Sequence, residues 1–271
     1  MRHLDSPWRS TPVSFSRFLV LLVLIVVAVV ALQMRSAVSS LRPVTHLVIV
    51  PGHAVFNGTD PRAAGHWTTD AWLVSLLPHM LGHIKAALDV ARKEHGLVVF
   101  SGGMTRKAAG RVSEGASYLR AAVLLGWVRT RVAVEPHARD SLENVLFSLC
   151  AFKQATGAYP RKLTVVGFSF KDARFVRSHF KAVRFANARY VGVGEELRAR
   201  YGSMEHERTI PQFDTDPYGC RPPLSVKRAA RNPWDEKHDY VRQCPEMAAL
   251  LAWCGPGLFP GPLPWYSEQS G

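Results

Sequence analysis

Short, continuously apolar runs alternate with longer amphipathic stretches over most of the chain. His46–Pro51 (HLVIVP), Leu97–Ser101 (LVVFS), Arg131–Glu135 (RVAVE) and Leu163–Gly167 (LTVVG) are rich in valine and apolar at nearly every position, the pattern of strands covered on both faces. Between them helical patterns run near Thr69–Glu94, Ser113–Leu125 and Ser141–Thr156, with another at Lys171–Val183; a fifth strand is predicted at Arg189–Val193. Alternation at these lengths requires parallel strands joined by crossovers, hence an open, doubly wound α/β domain over 46–200. The first helical stretch contains Pro78 and Gly82 and is expected to be kinked or divided.

The pattern changes at both ends. From Gly202 onward the chain carries ten of its 18 prolines and no strand pattern, so 201–271 reads as an extension packed on the domain. At the other end, Phe18–Leu32 is 15 consecutive apolar residues, about 22 Å of helix against a hydrocarbon core of about 30 Å. Arg17 can snorkel, and thirteen Leu, Ile, Phe and Val side chains favour insertion by about 4 to 8 kcal/mol. The residues after the run lack a small-x-small cleavage site, which predicts a retained single-pass signal anchor at 18–32 with a basic flank at 1–17 and a linker at 33–45. Arg2, Arg9 and Arg17 precede the span; Arg35 and Arg42 come after it, which places the N-terminus in the cytosol and the domain in the lumen of the endomembrane system. The sequon Asn57-Gly58-Thr59 fits a glycosylated Asn57 on that side.

With 271 residues, 47% of them hydrophobic, the chain has ample material for a core, and disorder of the whole is excluded. A net charge of +13 points to anionic surroundings: lipid headgroups or a phosphorylated ligand. The cations are dispersed and no nucleic-acid motif is present, so nucleic acid is not an expected partner. Four cysteines are few for a disulfide scaffold and lack C-x-x-C spacing. Cys244 and Cys254 read as ends of one helix, about 15 Å apart along its axis and unable to bond each other. Cys220 can pair with either in an oxidising compartment.

Ligands of open α/β sheets bind at the carboxyl ends of the strands, so candidate chemistry is sought at the junction after each strand. Gly52 and His53 come after the first strand. After the second come Ser101, Gly102 and Gly103, whose amides can turn toward an anion with Arg106 as counter-charge. Ser113 and Glu114 open the next helix. Asp140, Ser141 and Glu143 form a capping pattern after the third strand, with Asn144 next to them and free of capping duty. Lys171 and Arg174 occupy a first helical turn, where the dipole disfavours cations unless an anion is present. Neither a Walker loop nor a dinucleotide fingerprint occurs, and His79 and His83 lack the H-E-x-x-H glutamate, so no metal site is expected. Gly167-Phe168-Ser169-Phe170-Lys171 is a partial nucleophile elbow, and a serine hydrolase using Ser169 is one alternative.

Taken in order, Gly52, Ser101-Gly102-Gly103, Ser113-Glu114, Glu143-Asn144 and Arg174 resemble the junction motifs of the YdcF-like (SanA/ElyC-like) domain family over about residues 46–185. The tail, with Arg231-Asn232-Pro233 and Cys244-Pro245-Glu246, resembles eukaryotic members. His83 and Lys171 stand where many bacterial members carry Arg and His. The resemblance implies a Rossmann-like fold, frequent membrane anchoring, links to envelope or glycan-carrier biology, and S-adenosylmethionine or a nucleotide as ligand; it implies no reaction. The leading expectation is a membrane-anchored protein binding a small anionic, nucleotide-like or phosphorylated ligand. Gly102, Gly103, Lys171 and Arg174 then hold the anion, while Glu114, Glu143 and Asn144 position polar groups or transfer protons in phosphate or sugar-phosphate chemistry. A non-catalytic binding or scaffold protein of secretory membranes is the other alternative.

Overall fold

The computed structural model describes residues 23–25, 27–28 and 43–266. The chain divides into two compact units, 1–43 and 44–271. In the first, residues 23–25 and 27–28 are helical, with Val23, Leu24, Ile25 and Val27 exposed. The remainder of the expected anchor, its basic flank and linker residues 33–42 lie outside the described residues; among the described residues no helix is long and apolar enough to cross a membrane.

The second unit is α/β. Five parallel strands, β1 (His46–Pro51), β4 (Leu97–Ser101), β5 (Arg131–Glu135), β6 (Lys162–Phe168) and β7 (Ala188–Val193), lie in the order β5-β4-β1-β6-β7. The period of two divides each apolar run between the faces. Val48, Val50, Val98, Phe100 and Val166 face α1 (Leu77–Lys93) and α2 (Glu114–Leu124). Leu47, Ile49, Leu97, Val99 and Val165 face α3 (Ser141–Thr156) and α4 (172–182). The first two crossovers run along one face and the next two along the other, so the strand order reverses between β1 and β6 and opens a crevice at their carboxyl ends.

Three local features depart from the periodic reading. The first helical stretch is divided: a 3-10 segment, Ala71–Leu76, precedes α1, and Pro78 sits in the first turn, where its missing N–H costs nothing. A two-residue-per-strand hairpin, β2 (Val55–Phe56) with β3 (Trp67–Thr68), is folded into the β1–α1 connection. The helix after β6 is broken by a π turn at Phe175–His179, with the Phe180 N–H donating to the Phe175 carbonyl.

The extension is part of the core. After α5 (197–215) come α6 (Leu224–Ala230), α7 (Tyr240–Gln243) and α8 (Ala248–Leu251), and Phe213, Tyr218, Leu224, Met247, Leu263 and the fully buried Trp265 complete the face formed by α3 and α4. Trp265 Nε1 donates to the Val183 carbonyl at 2.9 Å. The expected single helix from Cys244 to Cys254 is not formed; Cys244 precedes a 3-10 turn and Cys254 lies beyond α8.

All four cysteines are paired, Cys150 with Cys244 and Cys220 with Cys254. Cys220 thus takes one of its two possible partners. Cys150, left out of the pairing expectation, lies on α3 and tethers the extension to it. The bridged residues are 94 and 34 apart in sequence, for which loop-closure entropy gives about 4–5 and about 3–4 kcal/mol. Reduction is therefore expected to lower the urea midpoint and free four thiols together with loss of the extension; a midpoint unchanged after complete thiol titration would contradict this.

Candidate functional site

The strand ends are lashed together by backbone. Gly52 N–H donates to Ser101 O (2.7 Å), Gly102 N–H to Glu135 O (2.9 Å) and Gly103 N–H to Ala138 O (2.6 Å). This corrects the anion role expected of the Gly102 and Gly103 amides, which are consumed by neighbouring carbonyls. The glycines serve another end. A Cβ on Gly52 would lie 2.5 Å from Glu114 Cβ, and one on Gly102, whose φ is +155°, would lie 2.8 Å from it. They make room for the buried Glu114 carboxylate between two strand ends. Gly102→Ala is accordingly expected to cost about 1–3 kcal/mol through overpacking and backbone strain, and to displace Glu114; a variant within 0.5 kcal/mol of wild type in urea unfolding would refute the packing role, ~0.5 being the usual effect of a surface change.

Ser101 and Asn144 also turn out to be framework. Ser101 is fully buried; its hydroxyl donates to Glu135 Oε2 at 2.6 Å and accepts from Asn144 Nδ2 at 2.9 Å. Glu135, at the end of β5, further accepts from His137 N–H (2.7 Å), Ala138 N–H (3.1 Å) and the Tyr240 hydroxyl (2.8 Å). Burial pushes its carboxyl up to about 7 against the pull of these donors. Glu135 was not among the expected residues, although a lone carboxylate closing an apolar strand was a signal for it.

Around this frame lies a cavity of about 110 Å³, room for several waters, at the carboxyl ends of β1 and β6. Gly52, His53, Arg106, Glu114, Asp140, Ser141, Asn144, Lys171 and Arg174, all expected, line it. Asp70, Trp72 and Leu73 close it from the segment after the hairpin, and Arg231 from the extension. Arg106 pairs with Asp70 (Nη2 to Oδ2, 3.1 Å) and sits 3.8 Å from Glu114 Oε1. Arg174 forms a two-pronged pair with Glu205 and donates to Ser141 Oγ at 3.2 Å. Among the described residues no carboxylate lies within 4 Å of the Lys171 ammonium, which instead stands 5.3 Å from the Phe168 ring and 5.8 Å from that of Phe170. The Arg231 guanidinium donates to the Arg139 carbonyl, at 3.0 Å.

These contacts set the electrostatics. Burial, reinforced by Arg174, lowers the Lys171 ammonium to about 7. Burial raises the Glu114 carboxyl, although it accepts from the Thr105 hydroxyl. His53 is held neutral by burial and by Lys171; its Nε2 is buried without a hydrogen-bond partner among the described residues, and its ring stacks on Phe168 at 5.0 Å.

Other expected residues lie elsewhere, except Asp140, which lines the cavity but is committed to a helix cap. Glu143 is turned away from the cavity and gripped by Arg139 (Nη2 to Oε1, 2.6 Å) and Arg228 (3.2 Å), so its expected catalytic role is corrected to an ion-pair role. Asp140 caps α3, accepting from Leu142 and Glu143 N–H, and its second oxygen takes Arg228 at 2.6 Å. Ser113 caps α2 through Ala116 N–H (3.2 Å) and is not in the lining. Ser169 is fully buried outside the lining and donates to the Gly194 carbonyl, so it is not a presented nucleophile. His79 bonds Glu196 at 2.6 Å while His83 is buried against Phe168, so the two do not converge. Asn57 is exposed on the hairpin.

No family model matches the chain, and no solved structure does. The chain is similar to the uncharacterized protein YOR238W of Saccharomyces cerevisiae, 25% identical over 221 residues, a match that covers 62% of this chain and 72% of the yeast protein.

Proposed function

We propose that this is a membrane-anchored α/β protein whose crevice binds a small anionic ligand, phosphorylated or nucleotide-like, with Glu114 as the group that exchanges protons with it. The observation that carries the reading is Lys171, an ammonium enclosed in a polar cavity with no carboxylate partner among the described residues. A half-buried cation with no carboxylate beside it is costly, and an anion delivered by a ligand removes the cost. Arg231 at the mouth and Arg174 behind Ser141 supply further donors to the same space. The cavity accepts a phosphoryl-sized head, so a nucleotide or S-adenosylmethionine would extend beyond it toward Trp72 and the mouth. Four paired cysteines and the exposed Asn57 support a lumenal domain, because disulfides persist in oxidising compartments. The resemblance to YdcF-like domains supports the anchor and the crevice alike.

Calorimetric titration of the full chain in detergent with inorganic phosphate, ADP and S-adenosylmethionine tests the reading. At least one phosphate-bearing ligand is expected to bind, and Lys171→Ala/Arg174→Ala to lose that binding. A double variant that binds as tightly as wild type overturns it.

A further inference from the structure

On the wall of the cavity, Ser141 Oγ lies 2.7 Å from His179 Nε2. Arg174 Nη1 reaches the same oxygen at 3.2 Å. A guanidinium can only donate, so it occupies one Oγ lone pair; in the tautomer that carries the imidazole proton on Nδ1, the hydroxyl proton points at Nε2. His179 is fully buried, wedged against Phe175 and Phe213, and its Nδ1 has no hydrogen-bond partner among the described residues. Burial and Arg174 lower it to about 3, so it is neutral in the free protein, and the negative charge of a bound phosphate beside it raises its affinity for a proton. The π turn makes the arrangement possible. Arg174 and His179 are five apart, which an α-helix would separate by about 140° around the axis; the i to i+5 turn brings both onto the face that meets Ser141. Ser141 also opens the 16-residue α3, whose N-terminus favours negative charge on that oxygen.

We propose that Ser141 is a covalent nucleophile, with His179 as its general base, for phosphoryl transfer from a phosphate monoester bound in this cavity. The proposal rests on the anion-binding reading and extends it to a reaction. In the first step the Oγ–P bond forms as the bond from phosphorus to the leaving oxygen breaks; the serine proton passes to His179 Nε2, and protonated Glu114 supplies a proton to the leaving alkoxide. In the second, water attacks phosphorus, Oγ leaves and recovers its proton from His179, and the proton of the water returns to Glu114. The sum is monoester plus water giving alcohol plus phosphate, with both residues restored. Arg174 and Lys171 face the charge that develops on the transferring group.

The full chain in detergent, incubated with p-nitrophenyl phosphate and quenched in acid, tests this. A burst of p-nitrophenolate and a phosphoryl adduct mapped to Ser141 are expected. Ser141→Ala is expected to lose both while still binding inorganic phosphate. His179→Gln is expected to slow the burst about 100-fold. If His179→Gln does not fold, the serine variant and the mapped adduct decide. Wild-type protein that binds phosphate but gives neither burst nor adduct, or a burst that survives Ser141→Ala, overturns the nucleophile and leaves anion binding standing. Wild-type protein that binds neither inorganic phosphate nor ADP overturns both.

Discussion

Replacing Lys171 by methionine is expected to stabilise the protein near pH 6 by about 3–5 kcal/mol, from a pKa displaced by several units, while weakening sulfate or phosphate binding about 100-fold. The sign is set by the ammonium being held at about 7 against 10.5 for an ordinary lysine. Below pH 7 the group is charged in both folded and unfolded chains, and the folded state carries the whole desolvation penalty. As pH rises from 7 toward 10.5 the folded lysine is already neutral while the unfolded one still holds its proton, so the penalty fades. Wild type and Lys171→Met should therefore differ most at pH 6 and converge near pH 10 in urea unfolding. A difference independent of pH would show that Lys171 is not a desolvated cation. The same linkage governs the ligand. An anion beside Nζ favours the charged form, so binding takes up a proton and strengthens as pH falls through about 7. Sulfate, whose charge is constant over this range, separates the titration of the site from that of the ligand. Its affinity should be at least about tenfold greater at pH 6 than at pH 9, one pK unit of linkage being a factor of ten.

The place of Lys171 on the cavity wall was legible from the chain because its signal is local: a cation in a helical first turn after a strand. The sheet was legible for a similar reason, since a run apolar at every position leaves one reading of its faces. What failed depended on partners distant in sequence. Gly102 and Gly103 announce a tight turn, but only the packing shows that their amides go to Glu135 and Ala138 and that the space they leave holds Glu114. Glu143 has the spacing of a capping acid, yet Arg139 and Arg228, the latter 85 residues on, decide where it points (228 − 143). Asp70, Arg231 and Tyr240 come from a loop and from the extension, neither of which has a periodic pattern to place it. His179 was missed because helical spacing assumes 3.6 residues per turn, and the π turn breaks that assumption at the one point where it matters.

Removing the Glu135 carboxylate is expected to cost about 3–5 kcal/mol and to open the site from behind. Four separate groups donate to it: Ser101 Oγ, His137 N–H, Ala138 N–H and Tyr240 Oη. They come from β4, the β5–α3 connection and the extension, so one side chain ties three parts of the chain together. In Glu135→Ala three buried donors and the half-buried His137 N–H lose their acceptor at once, which makes the cost larger than the loss of any one bond. Glu135→Gln keeps one acceptor oxygen but turns an NH₂ toward donors, and should recover about half of the loss, since a neutral bond is worth roughly half a charge-assisted one. The loop from His137 to Asp140 then loses its anchor, and with it the carbonyls of His137 and Ala138 against which Gly103 is packed. Amide exchange should speed up first at Gly103 and Ala138, ahead of global unfolding, and phosphate affinity should fall although no cation has been touched. If Glu135→Ala unfolds within about 1 kcal/mol of wild type, the average effect of a point mutation, the carboxylate is not the tie between sheet, loop and extension. The disulfides would then have to hold the extension's Arg231 at the cavity mouth on their own.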